Sequence, residues 1–157
     1  MALPTQPTRA GFLAFIRDIM GVPEDVLPDD SAYIDTSYEL ALEITNYVMT
    51  RISPVIYTQA VYNLGGSILL NITPDAGGAP DYRNELPYFA YWRSKFNLAG
   101  FVGGIIQSSQ DNSTGQSMVV QEAAKNFTLA NLQQLKDPYG RQYLAYMQSL
   151  GDAWNLV

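Results

Sequence analysis

The sequence predicts a mainly α-helical fold, a single domain over residues 1–157 built as a bundle of about five to six helices, with a β-hairpin or extended arm projecting near residues 101–120. Three observations predict it. Apolar residues recur at three- and four-residue spacing in successive segments. Those segments are bounded by helix start and stop residues, with Ser, Thr or Asp before them and Gly or Pro after. Only around residues 101–120 do short apolar β-capable runs flank a polar stretch. At roughly 100–200 residues per domain, 157 residues suit one domain, large enough to bury about 68–70% of the surface of its unfolded chain.

Thr8 is placed to cap a first helix from Arg9 to about Met20, with Phe12, Phe15, Ile16 and Ile19 on its apolar face and Gly21 and Pro23 to stop it. The following GVPEDVLPDDS has two prolines and four acids, which makes an exposed elbow. A second helix is expected from Asp30 or Ser31 to about Thr50. At about 100° per residue Ile34, Tyr38, Leu40, Ala41, Ile44, Tyr47 and Val48 fall on one broad arc. Asp35, Glu39 and Glu43 make an acidic stripe on the other side.

Ser53 and Pro54 form an N-cap and first-turn pair for a third helix ending before Pro74. No charged residue occurs between Ile52 and Pro74, which suits a helix packed on all sides, within the chain or at a subunit interface. Its Thr58, Gln59, Asn63, Ser67 and Asn71 argue against a membrane span. Gly65 and Gly66 cost about 1 kcal/mol each against Ala in a helix, and so suggest a kink or a close helix crossing. Residues 73–84 read as a loop. Glu85 to about Asn97 reads as an aromatic helix capped by Asn84, with Phe89, Trp92 and Phe96 on one face.

Beyond Gly100, the runs Phe101, Val102, Ile105, Ile106 and Met118, Val119, Val120 flank SSQDNSTGQS, a hairpin with a polar tip or a surface loop over residues 100–121. Thr128 caps a helix over LANLQQLK, and Asp137 with Pro138 starts another that ends at Gly151. The last residues, 152–157, carry Trp154, Leu156 and Val157, an apolar tail that folds back or inserts into a neighbour.

The absence of Cys and His removes imidazole acids and bases, thiol nucleophiles, disulfides and Cys/His zinc sites. No phosphate-binding glycine motif and no calcium-loop spacing occurs, so no cofactor and no metal is expected. The best enzymatic case is a pair of carboxylates, Glu39 with Glu43 or Asp81 with Glu85, yet solvent-facing carboxylates have no raised pKa for acid duty. No enzyme is expected. The first residues lack the basic and apolar regions of a secretory leader. Only 15% of residues are charged, and the net charge of −6 arises before Pro80. Eight carboxylates lie between Asp18 and Glu43 with no Lys or Arg among them, the wrong sign for gripping phosphates. Such acid suits a solvated face, a basic partner or a wall past which DNA slides.

The segments FIRDIMGVPEDVLPDDS, SYELALEITN, YTQAVYNLGGSILLN and NLQQLKDPYGRQYLAYMQSLG resemble, in order and over most of the chain, the head-to-tail connector (adaptor or neck) proteins of tailed bacteriophages. The resemblance implies a structural virion protein, made in the host cytoplasm and placed in the neck. Such proteins form a homo-oligomeric ring, commonly dodecameric, beneath the portal protein, extending the DNA channel and presenting a platform to the tail tube or nozzle. By this likeness Trp154, Leu156 and Val157 are candidates for portal docking, and the arm Phe101 to Val120 for reaching a neighbouring subunit or the tail. Asp35, Glu39 and Glu43 are candidates for lining the lumen, where DNA passes without specific binding. The alternatives are a phage peptidoglycan hydrolase using paired carboxylates and a helical DNA-packaging factor.

Overall fold

A computed structural model of the chain describes residues 4–77, 82–83, 85–100 and 133–149, together with the backbone of 108–111 and 114–117. The fold is mainly helical. In chain order the helices are α1 (Arg9–Ala14), α2 (Ala32–Ile44), α3 (Met49–Ile52), α4 (Pro54–Ile72), α5 (Tyr88–Lys95) and α6 (Pro138–Ser149). Helix α4 is the axis, with α2 and α6 packed most extensively along it and α3 and α5 added at its ends.

The hydroxyl of Thr8 accepts from the Gly11 N–H at 3.0 Å, the expected cap of α1. After Ala14 the helix widens into a π-helical turn, Phe15–Ile19, in which the Met20 N–H donates to the Phe15 carbonyl at 3.0 Å. The extra residue in that turn rotates the next side chains about the helix axis. Met20 therefore enters the core, whereas Ile19, expected on the apolar face, stands 64% exposed. Gly21, at φ 67°, occupies the left-handed region and turns the chain away.

The elbow after Gly21 is tied down by the only two arginines that precede it. Arg17 donates to the carbonyls of Val22 (2.8 Å) and Leu27 (2.6 Å) and pairs with Asp29. Arg9 donates to the Asp29 carbonyl at 2.8 Å and pairs with Asp35. Part of the acidic run thus has counter-ions that sit upstream of it in the chain.

Helix α2 stops at Ile44, short of the expected Thr50. Thr45 is extended, and the side chain of Asn46 accepts from the Val48 N–H at 2.9 Å, a local turn that competes with helix continuation. The chain re-enters a helix only at Met49, and the phase of the apolar pattern changes there. Met49 is buried, but Tyr47 and Val48 point to solvent. Leu40 and Ile44, also expected in the core arc, are exposed as well, because α4 covers only the narrower stripe of Ile34, Ser37 and Ala41.

Ser53 caps α4 by accepting from the Ile56 N–H at 3.3 Å, and Pro54 opens its first turn. The two glycines mark a close crossing. A Cβ on Gly65 would lie 2.8 Å from ring carbons of Phe12, and one on Gly66 would lie 3.0 Å from Met20 Sδ and 3.2 Å from Phe15. Two buried polar side chains on α4 are satisfied within the helix, Thr58 donating to the Pro54 carbonyl at 2.9 Å and Asn63 to the Gln59 carbonyl at 2.9 Å. That is how an uncharged but partly polar helix is buried along nearly its whole length.

Helix α5 begins at Tyr88, three residues later than expected, and its cap comes from elsewhere. The Asp75 carboxylate accepts from the N–H groups of Phe89 (2.7 Å) and Ala90 (2.8 Å), and Arg93 ties the same loop by donating to the Thr73 carbonyl at 2.6 Å. Asn84, the expected cap, lies outside the described residues. Asp137 starts α6 as expected. It is fully buried and accepts from the N–H groups of Tyr139 (3.0 Å) and Gly140 (2.8 Å) and from the Ser67 hydroxyl (2.7 Å) on α4.

A short antiparallel ladder pairs β1 (Ser108–Asp111) with β2 (Thr114–Ser117), Ser108 opposite Ser117, inside the run expected to be a polar tip. The apolar runs Phe101, Val102, Ile105, Ile106 and Met118, Val119, Val120 lie outside the described residues, as does the helix expected after Thr128 apart from its last four residues, of which Gln133 and Gln134 are helical and Leu135 and Lys136 form a turn. The tail with Trp154, Leu156 and Val157 also lies outside the described residues.

Candidate functional site

Two surface regions carry chemistry that the fold itself does not use. The first is the outer side of α2 with the α2–α3 corner. At about 100° per residue, Tyr33, Leu40 and Ile44 occupy one edge of the exposed arc of α2, and Glu39 and Glu43 the other. At the end of α2 and in the corner after it, Ile44 is 49% exposed, Tyr47 72% and Ile52 55%. Behind Tyr47 a groove of about 560 Å³ opens between Pro7, Leu42, Pro54 and Tyr57. Tyr47 meets Tyr57 edge-on, ring centroids 6.0 Å apart. Burial raises the Tyr57 phenol pKa, with Tyr47 and Glu43 adding to it, which puts Glu43 at the same corner.

Scattered exposed apolar residues are ordinary in proteins, whereas a run of large ones on one ridge marks a surface that binds something. Between positions 40 and 52 five large apolar side chains, Leu40, Ile44, Tyr47, Val48 and Ile52, are exposed. The acidic stripe has changed character too. Asp35 is paired with Arg9, which leaves Glu39 and Glu43 without an ion pair among the described residues.

The second region lies beyond the far end of α4, on the outer side of α5 and the segment before it. Arg83 sits over the rings of Tyr82 (5.2 Å) and Tyr91 (5.9 Å), and Lys95 over those of Trp92 (4.5 Å) and Tyr91 (5.9 Å). Tyr82 and Tyr91 meet edge-on at 5.5 Å. Two cations are thus held by aromatic faces and, unlike Arg93 with Asp75, have no carboxylate partner among the described residues. Beneath this layer Tyr88 is buried against Met20 and Gly21, donating to the Gly21 carbonyl at 3.2 Å, and burial pushes its phenol up to about 12.

Of the carboxylates considered for hydrolysis, Glu39, Glu43 and Glu85 are exposed, and Asp81 lies outside the described residues. Among the described residues no cluster of three or more Asp or Glu side chains is placed to hold a metal ion. No helix among them is long and apolar enough to cross a membrane.

Sequence reasoning missed the basic aromatic face, although Tyr91 and Lys95 at i, i+4 are a visible signal for it. Asp75 and the Ser67–Asp137 contact are invisible to spacing rules, because their partners are 14 and 70 residues away. No family model, no curated protein and no solved structure matches this chain.

Proposed function

We propose that the chain is a head-to-tail adaptor of a tailed bacteriophage, a structural protein of the virion neck that assembles as a ring beneath the portal, continues the DNA channel and offers a platform to the tail tube or nozzle. The observation that supports this reading best is the exposure of Leu40, Ile44, Tyr47, Val48 and Ile52 on a chain with only 15% charged residues. A surface of that kind suits a subunit whose flanks are covered by copies of itself. In such a ring Trp154, Leu156 and Val157 serve portal docking, and the arm from Phe101 to Val120 reaches a neighbour or the tail. Of the stripe Asp35, Glu39 and Glu43, only the last two remain without an ion pair among the described residues and available to face a channel or a partner.

Electron microscopy of the protein mixed with the portal protein of its own virion tests the reading. A ring seated on the portal, dodecameric to match it, is the expected result, and a protein that stays monomeric and leaves the portal bare contradicts it. Removing residues 152–157 should abolish docking while the helical content is retained. Undiminished docking would take the tail out of the site.

A further inference from the structure

We infer that the acidic, apolar outer face of α2 in one copy is covered by the basic, aromatic outer face of α5 in the next copy, head to tail around the assembly. The inference rests on the ring reading above and names the contact that builds it.

Each face offers what the other lacks. The α2 face presents Glu39 and Glu43 beside Leu40, Ile44 and Tyr47. The α5 face presents Arg83 and Lys95 beside Tyr82, Tyr91 and Trp92. None of these four charges has an opposite partner among the described residues of its own chain. The two cations already lie over ring faces, which places their charge beside the aromatic surface that carboxylates would approach. Aromatic and aliphatic side chains beside the ion pairs are the composition expected at the centre of a stable interface.

The placement of the two faces decides the symmetry. Tyr47 packs on Tyr57 near the start of α4, whereas Arg93 of α5 donates to the Leu70 carbonyl near its end. Thirteen residues of α4 separate Tyr57 from Leu70, about 20 Å at 1.5 Å per residue. Glu39 and Glu43 lie on either side of Ala41, which meets Gly65 closer to the middle of α4, yet neither carboxylate makes an ion pair with Arg83 or Lys95 within the chain. Pairing α2 with the α2 of a second copy would set Glu39 and Glu43 against the same two residues, like charge on like. What remains is a contact between unlike faces, and in the ring of the proposed function each copy uses its α2 face on one neighbour and its α5 face on the other. Glu39 and Glu43 then face a neighbouring subunit and not the lumen, which also removes Leu40 and Ile44 from water.

Charge exchange on the full chain provides the test. The variants Glu39→Lys/Glu43→Lys and Arg83→Glu/Lys95→Glu should each keep the wild-type circular dichroism spectrum and weaken self-association about tenfold or more in sedimentation velocity. Mixed in equal amounts they should assemble again, because every contact between unlike variants pairs opposite charges. Assembly of either variant at wild-type strength, or failure of the mixture to recover, overturns the contact and leaves the adaptor reading standing if the wild type still forms rings. A wild type that is monomeric alone and on the portal overturns both. Hydroxyl-radical labelling of side chains in dilute monomer is the second arm. Protection of Leu40, Ile44 and Tyr47 there would mean that the chain's own residues cover the face, and the inference would fail.

Discussion

Helices α4 and α2 touch where Gly65 meets Ala41, yet α4 is enclosed by its neighbours and α2 is covered on about half its circumference. Both have apolar sequences, and both start and stop on local signals. In α4 the covering is achieved by subtraction, since Gly65 and Gly66 have no side chain and admit Phe12, Phe15 and Met20 to the backbone. In α2 the apolar side chains outnumber the positions that α4 can cover, and Tyr33, Leu40 and Ile44 are left outside. The difference teaches that hydrophobic pattern sets how much surface seeks cover, while the number of packing partners sets how much of it is found within one chain.

The largest effect is expected from breaking the enclosed helix. Gly65→Val places branched carbons where a Cβ alone lies 2.8 Å from the Phe12 ring. It should cost about 3 kcal/mol, read as a drop of roughly 6–12 °C in thermal midpoint. A midpoint within 2 °C of wild type, an error on the order of 0.5 kcal/mol, would mean that the crossing is looser than described.

Next in size is the latch between α4 and α6. Asp137→Ala leaves the Ser67 hydroxyl and two helix N–H groups without their acceptor, for a loss of about 2 kcal/mol in chemical denaturation. Asp137→Asn, which keeps an acceptor for the N–H groups, should lose about half as much. Burial raises the Asp137 carboxyl pKa above its ordinary 3.8, outweighing the hydrogen bonds that lower it. Folding therefore favours the protonated form. That contribution is fully present below pH 3.8 and is lost as pH rises through the raised value. Relative to Asp137→Asn, the wild type should gain stability as pH falls through this window, and a loss instead would reverse the assignment.

A smaller effect on folding, but a decisive one on association, is expected on the half-covered helix. Leu40→Ser with Ile44→Ser should change unfolding free energy by less than about 0.5 kcal/mol each, the range for surface positions. Self-association should fall sharply. Destabilisation comparable to Gly65→Val would show that the face is buried within the chain. Least of all is expected from Arg9→Ala, whose partner Asp35 is as exposed as Arg9 itself. It should leave the thermal midpoint close to wild type while raising hydrogen exchange in the elbow.

Local chemistry made much of the fold legible. Thr8, Ser53 with Pro54, and Asp137 with Pro138 act on backbone groups two or three residues away, and each begins its helix as the sequence implied. Gly65 and Gly66 signalled a close crossing for the same reason. The exchange of Ile19 for Met20 was not legible, because a single π-helical turn shifts the phase without changing any residue type. Nor was the break at Thr45, where Asn46 holds a turn inside a pattern that continues unbroken on a helical wheel. The candidate face was half legible. Glu39 and Glu43 were placed outward correctly, but Leu40, Ile44, Tyr47 and Val48 were expected inward, since periodicity reports apolar width and not the width of the partner. Arg83 and Lys95 became meaningful only when the rings beneath them were in place.

The absence of cysteine makes one measurement especially clean. In the double variant Glu43→Cys/Lys95→Cys each thiol comes from one of the two faces, Glu43 beside Tyr57 toward the start of α4 and Lys95 on α5 by its end. Under mild oxidation, head-to-tail packing predicts a ladder of disulfide-linked oligomers ending in a closed covalent ring, while each single variant gives at most dimers. Oligomers that form without any such ladder would contradict the packing of α2 against α5.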